Sequence, residues 1–294
     1  MLGEDRPVTR ARHLRTRLGA LALVLPLLAA CSGGSGEPQP SSSSTPSGSG
    51  SASASPTPTA PPTAEPVARP AEGACYRLSY AAALAPTVDA RPVDCGGDTA
   101  RTFAVGTVDA LAGGHLLAID SDRVQSSVAR TCPERLAGFL GGTQADRRLS
   151  MLRAVWFTPT VEESDAGADW YRCDVIALAA DERLAPLTGV LAGVLDTEAG
   201  RTRYGVCGTA EPGTAGFSRV VCSRPHSWRA ISVVDLGTGA YPGVDAVRTR
   251  GETPCEDAGR DAAADPLSFR WGYEWPTAEQ WADGQTYGLC WVPD

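Results

Sequence analysis

Val124, Val128, Cys132, Leu136 and Leu140 recur at every fourth position between Ser121 and the Gly141-Gly142 pair. That period predicts one amphipathic helix, capped by Ser121 and ended by the glycines. Pro133 falls inside it and is expected to break or restart the helix after Cys132. Upstream the pattern shortens to runs read as strands: Ala74 to Leu78, Arg91 to Cys95, and Thr102 to Ala110 with Phe103 and Val105 on one face. A further strand is predicted over Leu149 to Phe157. The run Pro159-Thr160-Val161-Glu162-Glu163 then sets Thr three residues before Glu, a capping box that opens a short helix. A strand at Cys173-Asp174-Val175 closes the series.

The stretch from Pro159 to Cys173 returns, without a gap, from Pro276 to Cys290, matching on Pro, Thr, Glu, Gly, an aromatic residue and Cys. Thr277 and Gln280 repeat the capping pair, and Cys290-Trp291-Val292 repeats the closing strand. Each half also holds four cysteines in the same order: Cys75, Cys95, Cys132, Cys173, then Cys207, Cys222, Cys255, Cys290. The expectation is a duplication, an α+β fold of two tandem disulfide-stapled α+β domains at 73–177 and 203–294. Residues 177–203 between them receive no role.

The first thirty residues pair a basic run (Arg6, Arg10, Arg12, Arg15, Arg17) with an apolar stretch from Leu18 to Ala30 that is too short for a permanent membrane helix. Residues 1–30 are therefore read as a lipoprotein signal peptide. Leu28-Ala29-Ala30-Cys31 has the small-residue pattern of its cleavage site, which would leave Cys31 as the lipidated first residue. Residues 31–72 continue as a Ser/Gly/Pro-rich tether with little apolar to bury, expected to be disordered. Such a spacer reaches roughly 35 Å as a flexible coil and about 120 Å as extended polyproline II.

The formal charge is -8 at pH 7, and the leader carries five of the arginines against two acids, so the mature chain is more negative still. Nucleic acid is excluded as a natural partner. The chain has no lysine and no asparagine. Their absence removes phosphate-loop Lys chemistry, Schiff bases, Ser-x-x-Lys nucleophiles and N-glycosylation sequons.

No Cys-x-x-Cys pair occurs, which speaks against zinc knuckles and thioredoxin-like redox sites and for structural disulfides. Four cysteines per half allow three connectivities. The preferred one is first with second and third with fourth: the first two flank a strand hairpin, and the third lies on the helix stripe that must pack on the sheet holding the fourth.

Gly205-Val206-Cys207, then Val221-Cys222-Ser223-Arg224-Pro225-His226, the helical Cys255, Trp275-Pro276-Thr277, Trp281, Gly284 and Cys290 together resemble the actinobacterial septum-formation domain. The first half resembles a diverged copy, with Cys95-Gly96-Gly97-Asp98-Thr99 where Cys and Pro-His stand in the second. Counted from the cysteine, Thr99 stands opposite His226. The resemblance implies a cell-envelope protein linked to division, often a lipoprotein, and carries no catalytic residue, cofactor or defined ligand.

After cleavage only His115 and His226 remain for acid-base work. His115 sits beside a Gly113-Gly114 turn, and no Gly-x-Ser-x-Gly elbow is present. Arg224, His226, Trp228 and Arg229 form the candidate binding cluster, with the arginines suited to an anionic group. Five of the seven tryptophans (Trp228, Trp271, Trp275, Trp281, Trp291) crowd the C-terminal end, as a ligand platform or as core. No metal, cofactor or catalytic residue is predicted. The function expected is a membrane-anchored, extracytoplasmic, non-enzymatic envelope lipoprotein that binds a division or wall-synthesis protein, or wall polymer. Two other classes stay open: a secreted hydrolase using His226, and a structural or sensor ectodomain.

Overall fold

Antiparallel pairing organises both halves of the chain. The structure, a computed structural model, describes residues 68–294. The expected leader at 1–30, the expected lipidation residue Cys31 and most of the expected tether lie outside the described residues.

In the N-terminal half the elements are β1 (Cys75–Tyr76), α1 (Tyr80–Ala83), β2 (Ala100–Thr107), the hairpin β3 (Leu111–Ala112) and β4 (His115–Leu116), α2 (Asp122–Leu140), α3 (Gln144–Arg148), β5 (Leu152–Phe157), α4 (Val161–Asp165), β6 (Trp170–Ala180) and β7 (Arg183–Ala185). A single 3-10 turn, Val194–Asp196, and α5 (Glu198–Tyr204) lead into the C-terminal half. There follow β8 (Val206–Gly208), β9 (Arg219–Val221), β10 (Trp228–Asp235), α6 (Val244–Ala262), β11 (Gly272–Glu274), α7 (Ala278–Ala282) and β12 (Tyr287–Pro293). The first sheet runs β1-β2-β6-β5 with β7 on the end of β6; the second runs β11-β12-β10-β8-β9. Among the described residues no helix is long and apolar enough to cross a membrane.

The apolar stripe of α2 is buried as its period requires, at Val124, Val128, Cys132, Leu136 and Leu140, and Gly141 ends the helix with φ +70. Two details differ from expectation. Pro133 does not break the helix, which runs on through it to Leu140. Proline removes one backbone donor, a loss of about 3 kcal/mol in a helix interior, but the turns on either side are held by the buried stripe and by the Cys132–Cys173 disulfide. Helix α6 repeats this, with Pro254 inside and Cys255 bonded to Cys290. Ser121 does occupy the N-cap position, yet its side chain caps nothing, and its hydroxyl is buried without a partner. Both capping boxes do form, Thr160 with Glu163 and Thr277 with Gln280.

The expected strand over Arg91 to Cys95 reduces to one bridge between Val93 and Cys75. Pro92 has no donor to give a ladder, and Gly96 and Gly97 turn the chain immediately afterwards at φ +119 and +90. The Cys75–Cys95 bond secures that segment instead. The other two pairs are Cys132–Cys173 and Cys207–Cys222, and the fourth is Cys255–Cys290, the connectivity preferred from the sequence. Phe103 and Val105 are half-buried; Ala100, Thr102, Ala104 and Gly106 form the more deeply buried face of β2.

Both halves lie within one compact unit, Ala60–Asp294. One core cluster takes Leu136, Leu140 and Val175 from the N-terminal half together with Trp228, Leu289 and Trp291 from the C-terminal half. Backbone bonds join them as well: Met151 N–H donates to Tyr204 O at 2.7 Å and Val206 N–H to Leu149 O at 2.9 Å. The segment 178–202, silent in the sequence, supplies much of this junction. Leu187, Leu191 and Leu195 are fully buried, each worth roughly 1.5–3 kcal/mol in area removed from water. Asp196 accepts a hydrogen bond from Gly142 N–H at 2.8 Å and so ties the turn after α2 to the 3-10 turn.

Candidate functional site

Helix α5 owes its position to a glycine. A Cβ at Gly200 would stand 1.8 Å from Val194 O, so only glycine lets the helix close on the 3-10 turn before it. Thr197 caps α5 by accepting from Gly200 N–H. With α5 held there, a groove opens between α5, the end of α3 and β10. A cavity of about 220 Å³ is lined by Asp146, Glu198, Arg201, Cys222, Arg229 and neighbouring small residues. It runs into a wider hollow of about 520 Å³ past Glu198, Thr202, Arg203, Cys222 and Ser223.

The charges in this groove are arranged rather than scattered. Arg201 lies 3.7 Å from Asp146. Hydrogen bonds from Thr143, and then the charges of Arg201 and Arg147, hold the Asp146 carboxyl below the usual carboxylate range. Arg229 donates from Nη2 to Asp294 Oδ2 at 2.6 Å and from Nε at 3.1 Å. That bond, followed by the one from His226, lowers the Asp294 pKa. Arg203 donates to Thr188 Oγ1. The exposed Arg224 guanidinium makes no hydrogen bond or ion pair among the described residues and follows Ser223 of the hollow directly.

His226 is bound on both sides. Nδ1 lies 2.6 Å from Arg224 O and Nε2 lies 2.6 Å from Asp294 Oδ2. Both ring nitrogens are engaged with these oxygens, and neither is placed to take a proton from a nucleophile. Cys207 Sγ comes within 4.8 Å of this pair, so the three residues group as metal donors would. The sulfur is held in the Cys207–Cys222 bond and the carboxylate is already bonded to Arg229, which leaves no ligand set in the oxidised protein. His115 stands exposed in its hairpin.

Strand register relates this cluster to the N-terminal half. Arg229 on β10 pairs with Cys207 on one side and Val292 on the other. Arg101 on β2 pairs with Cys75 and Val175 in the same way. Three residues before each arginine stand His226 and Asp98, so Asp98 rather than Thr99 is the counterpart of His226; counting from the cysteine misplaced it by one. Asp98 binds Arg101 through both carboxylate oxygens at 3.0 and 3.1 Å. In the C-terminal half a histidine stands at the aspartate's register position and Asp294 supplies the carboxylate. Thr99 bonds Leu78 at both its N–H and its C=O.

Trp228 is a correction to the candidate binding set. Its ring is 4% exposed, packed in the shared core with Arg270 over it at 5.1 Å. Trp281 and Trp291 are buried and Trp271 and Trp275 half-buried, so these rings are mainly core. Arg229 lines the groove, His226 orients Asp294, and Arg224 is free at the surface. Sequence reasoning missed Asp146, Glu198, Arg201, Arg203 and Asp294, which are brought together only by the junction of the halves. A second missed cluster is internal: Asp174, fully buried, takes Arg172 Nη2 at 3.1 Å and Thr102 Oγ1 at 2.8 Å, with Arg172 over the Tyr76 ring at 3.9 Å. Two charges within the otherwise apolar run of β6 were its signal.

No curated protein and no solved structure matches this chain. The family described as septum formation matches it over residues 72–290, a single span that takes in both halves, the groove and all eight paired cysteines. The chain belongs to the septum-formation family.

Proposed function

We propose that the protein is an extracytoplasmic envelope lipoprotein, held to the membrane through Cys31, whose two halves are duplicated copies of one unit and whose groove binds an anionic component of the envelope during septum formation. The observation that carries this reading is the groove itself. Arg201, Arg203 and Arg229 line it or its hollow, with the free Arg224 beside them, in a protein of formal charge -8. Arg201, Arg203, Arg224 and Arg229 gather there against Asp146, Glu198 and Asp294, a slight local excess of positive charge in an acidic molecule that attracts anions. Planar guanidinium groups match carboxylate and phosphate geometry. The envelope polymer is the preferred ligand because the hollow is open and lets a chain lie through it. No reaction is assigned, since His226 has both nitrogens engaged.

The test is sedimentation of the oxidised mature protein with isolated cell-wall sacculi, for wild type and for Arg201→Ala/Arg229→Ala. Wild-type pelleting that weakens with salt and is lost in the variant supports the reading. Equal pelleting of both removes the groove from the account. No pelleting of either rules out the wall polymer and directs the search to an acidic protein partner.

A further inference from the structure

Arg153 of β5 makes no ion pair among the described residues. Its Nη1 donates to Ser150 O at 2.7 Å and Leu152 O at 2.8 Å. Neither Nε nor Nη2 has a partner among the described residues, and no carboxylate comes within ion-pair distance. The neighbouring arginines have counterions: Arg148 lies 3.2 Å from Asp235, and Arg219 lies 3.0 Å from Glu274 and also bonds Gln285. Arg153 is half-buried, and desolvation pushes its pKa down, opposed by Tyr287 and aided by the nearby Arg219 charge. A cation partly withdrawn from water without a paired carboxylate is costly, and an anion at this place would offset that cost.

A place for that anion exists. A polar cavity of about 290 Å³ is lined by Arg153, Gln280, Asp283, Gly284, Gln285 and Tyr287, and it shares no lining residue with the groove. Gln280 spends its Oε1 on Thr277 N–H, which leaves its amide N–H₂ group unused. Gln285 is occupied on both atoms, by Arg219 and by Tyr287 O. Free donors therefore come from the N-terminal half through Arg153 and from the C-terminal half through Gln280. Asp283 adds one negative charge to the wall and disfavours a doubly charged guest.

We propose that this cavity is a binding site for a small monocarboxylate, received by Arg153 with the Gln280 amide as a second donor. It stands apart from the groove, and its failure would leave the groove reading intact. Because the ligand's carboxylate bridges the two halves, occupancy adds to the stability of their junction by simple linkage.

The probe is sodium acetate, titrated against chloride at constant ionic strength and pH 7 into the oxidised mature protein, read by Tm and by saturation-transfer NMR on the acetate signal. In the Arg201→Ala/Arg229→Ala background, which removes carboxylate binding by the groove, the protein should show a saturable Tm rise and an acetate signal, and inorganic phosphate should give less. In that background Arg153→Gln should lose both responses, and Arg153→Lys should retain a weakened one. The NMR readout keeps the test sound if Arg153→Gln alters stability. A flat titration in that background, or acetate binding unchanged in Arg153→Gln, overturns the proposal.

Discussion

Arg101 and Arg229 hold the same register position, each paired across the sheet with the first cysteine of its half, Cys75 and Cys207, and each bonded to a carboxylate. The carboxylates differ in depth. Asp98 has a side chain 0% exposed, whereas that of Asp294 is 34% exposed. Removing one member of a buried pair leaves an uncompensated charge, so Asp98→Asn should cost about 3–5 kcal/mol. Asp294→Asn should cost about 1 kcal/mol or less because solvent screens the pair. Urea denaturation of both variants checks the ranking, and equal losses would contradict it.

Two glycine substitutions should move stability in opposite directions. Gly138 lies on α2, and a Cβ added there would meet nothing within 4 Å, so Gly138→Ala should raise stability by about 0.5–1 kcal/mol through helix propensity alone. Gly200→Ala would drive a methyl to 1.8 Å from Val194 O. It should lower stability by at least 1–3 kcal/mol, roughly the loss from overpacking, and open the groove. Thermal melts measure both.

Burial raises the Asp174 carboxyl to about 6, with Arg172 only partly opposing it. The folded protein therefore keeps a proton on Asp174 between its ordinary 3.8 and about 6, where the unfolded chain has lost it. Stability from this group falls as pH rises through that window and is level above it. Asp294 and Asp146 act oppositely, since their lowered values favour the fold above the ordinary carboxylate range and that gain is lost as pH falls. The stability difference between wild type and Asp174→Asn should decline by up to about 3 kcal/mol from pH 4 to pH 7. A difference independent of pH would show that folding does not shift the Asp174 carboxyl.

The Cys132–Cys173 bond spans 41 residues and Cys207–Cys222 spans 15. Chain entropy alone makes the longer loop worth about 0.9 kcal/mol more, and its loss also releases the turn around Pro133. The Cys132→Ala/Cys173→Ala protein should thus be the less stable of the two double variants by urea midpoint.

What could be read from the sequence was local or periodic. The α2 stripe, both capping boxes and the cysteine pairing each rest on residues close along the chain or on a repeated pattern. The groove was hidden because Asp146, Glu198, Arg201, Cys222 and Arg229 meet only after the halves fold against one another. The role of 178–202 was not legible, because Leu187, Leu191 and Leu195 are buried from a loop and a 3-10 turn rather than from a periodic helix or strand. Trp228 illustrates the limit of composition: its neighbour Arg229 lines the groove while its own ring turns inward, as alternation along a strand dictates.

The groove's role in septum formation is best tested in cells. An epitope-tagged Arg201→Ala/Arg229→Ala allele replaces the native gene, and its septal enrichment and septum frequency are scored beside wild type, with surface exposure and oxidised folding verified. The expected variant is exported and folded yet fails to concentrate at septa. A variant that concentrates there and supports division like wild type would remove the groove from septum formation.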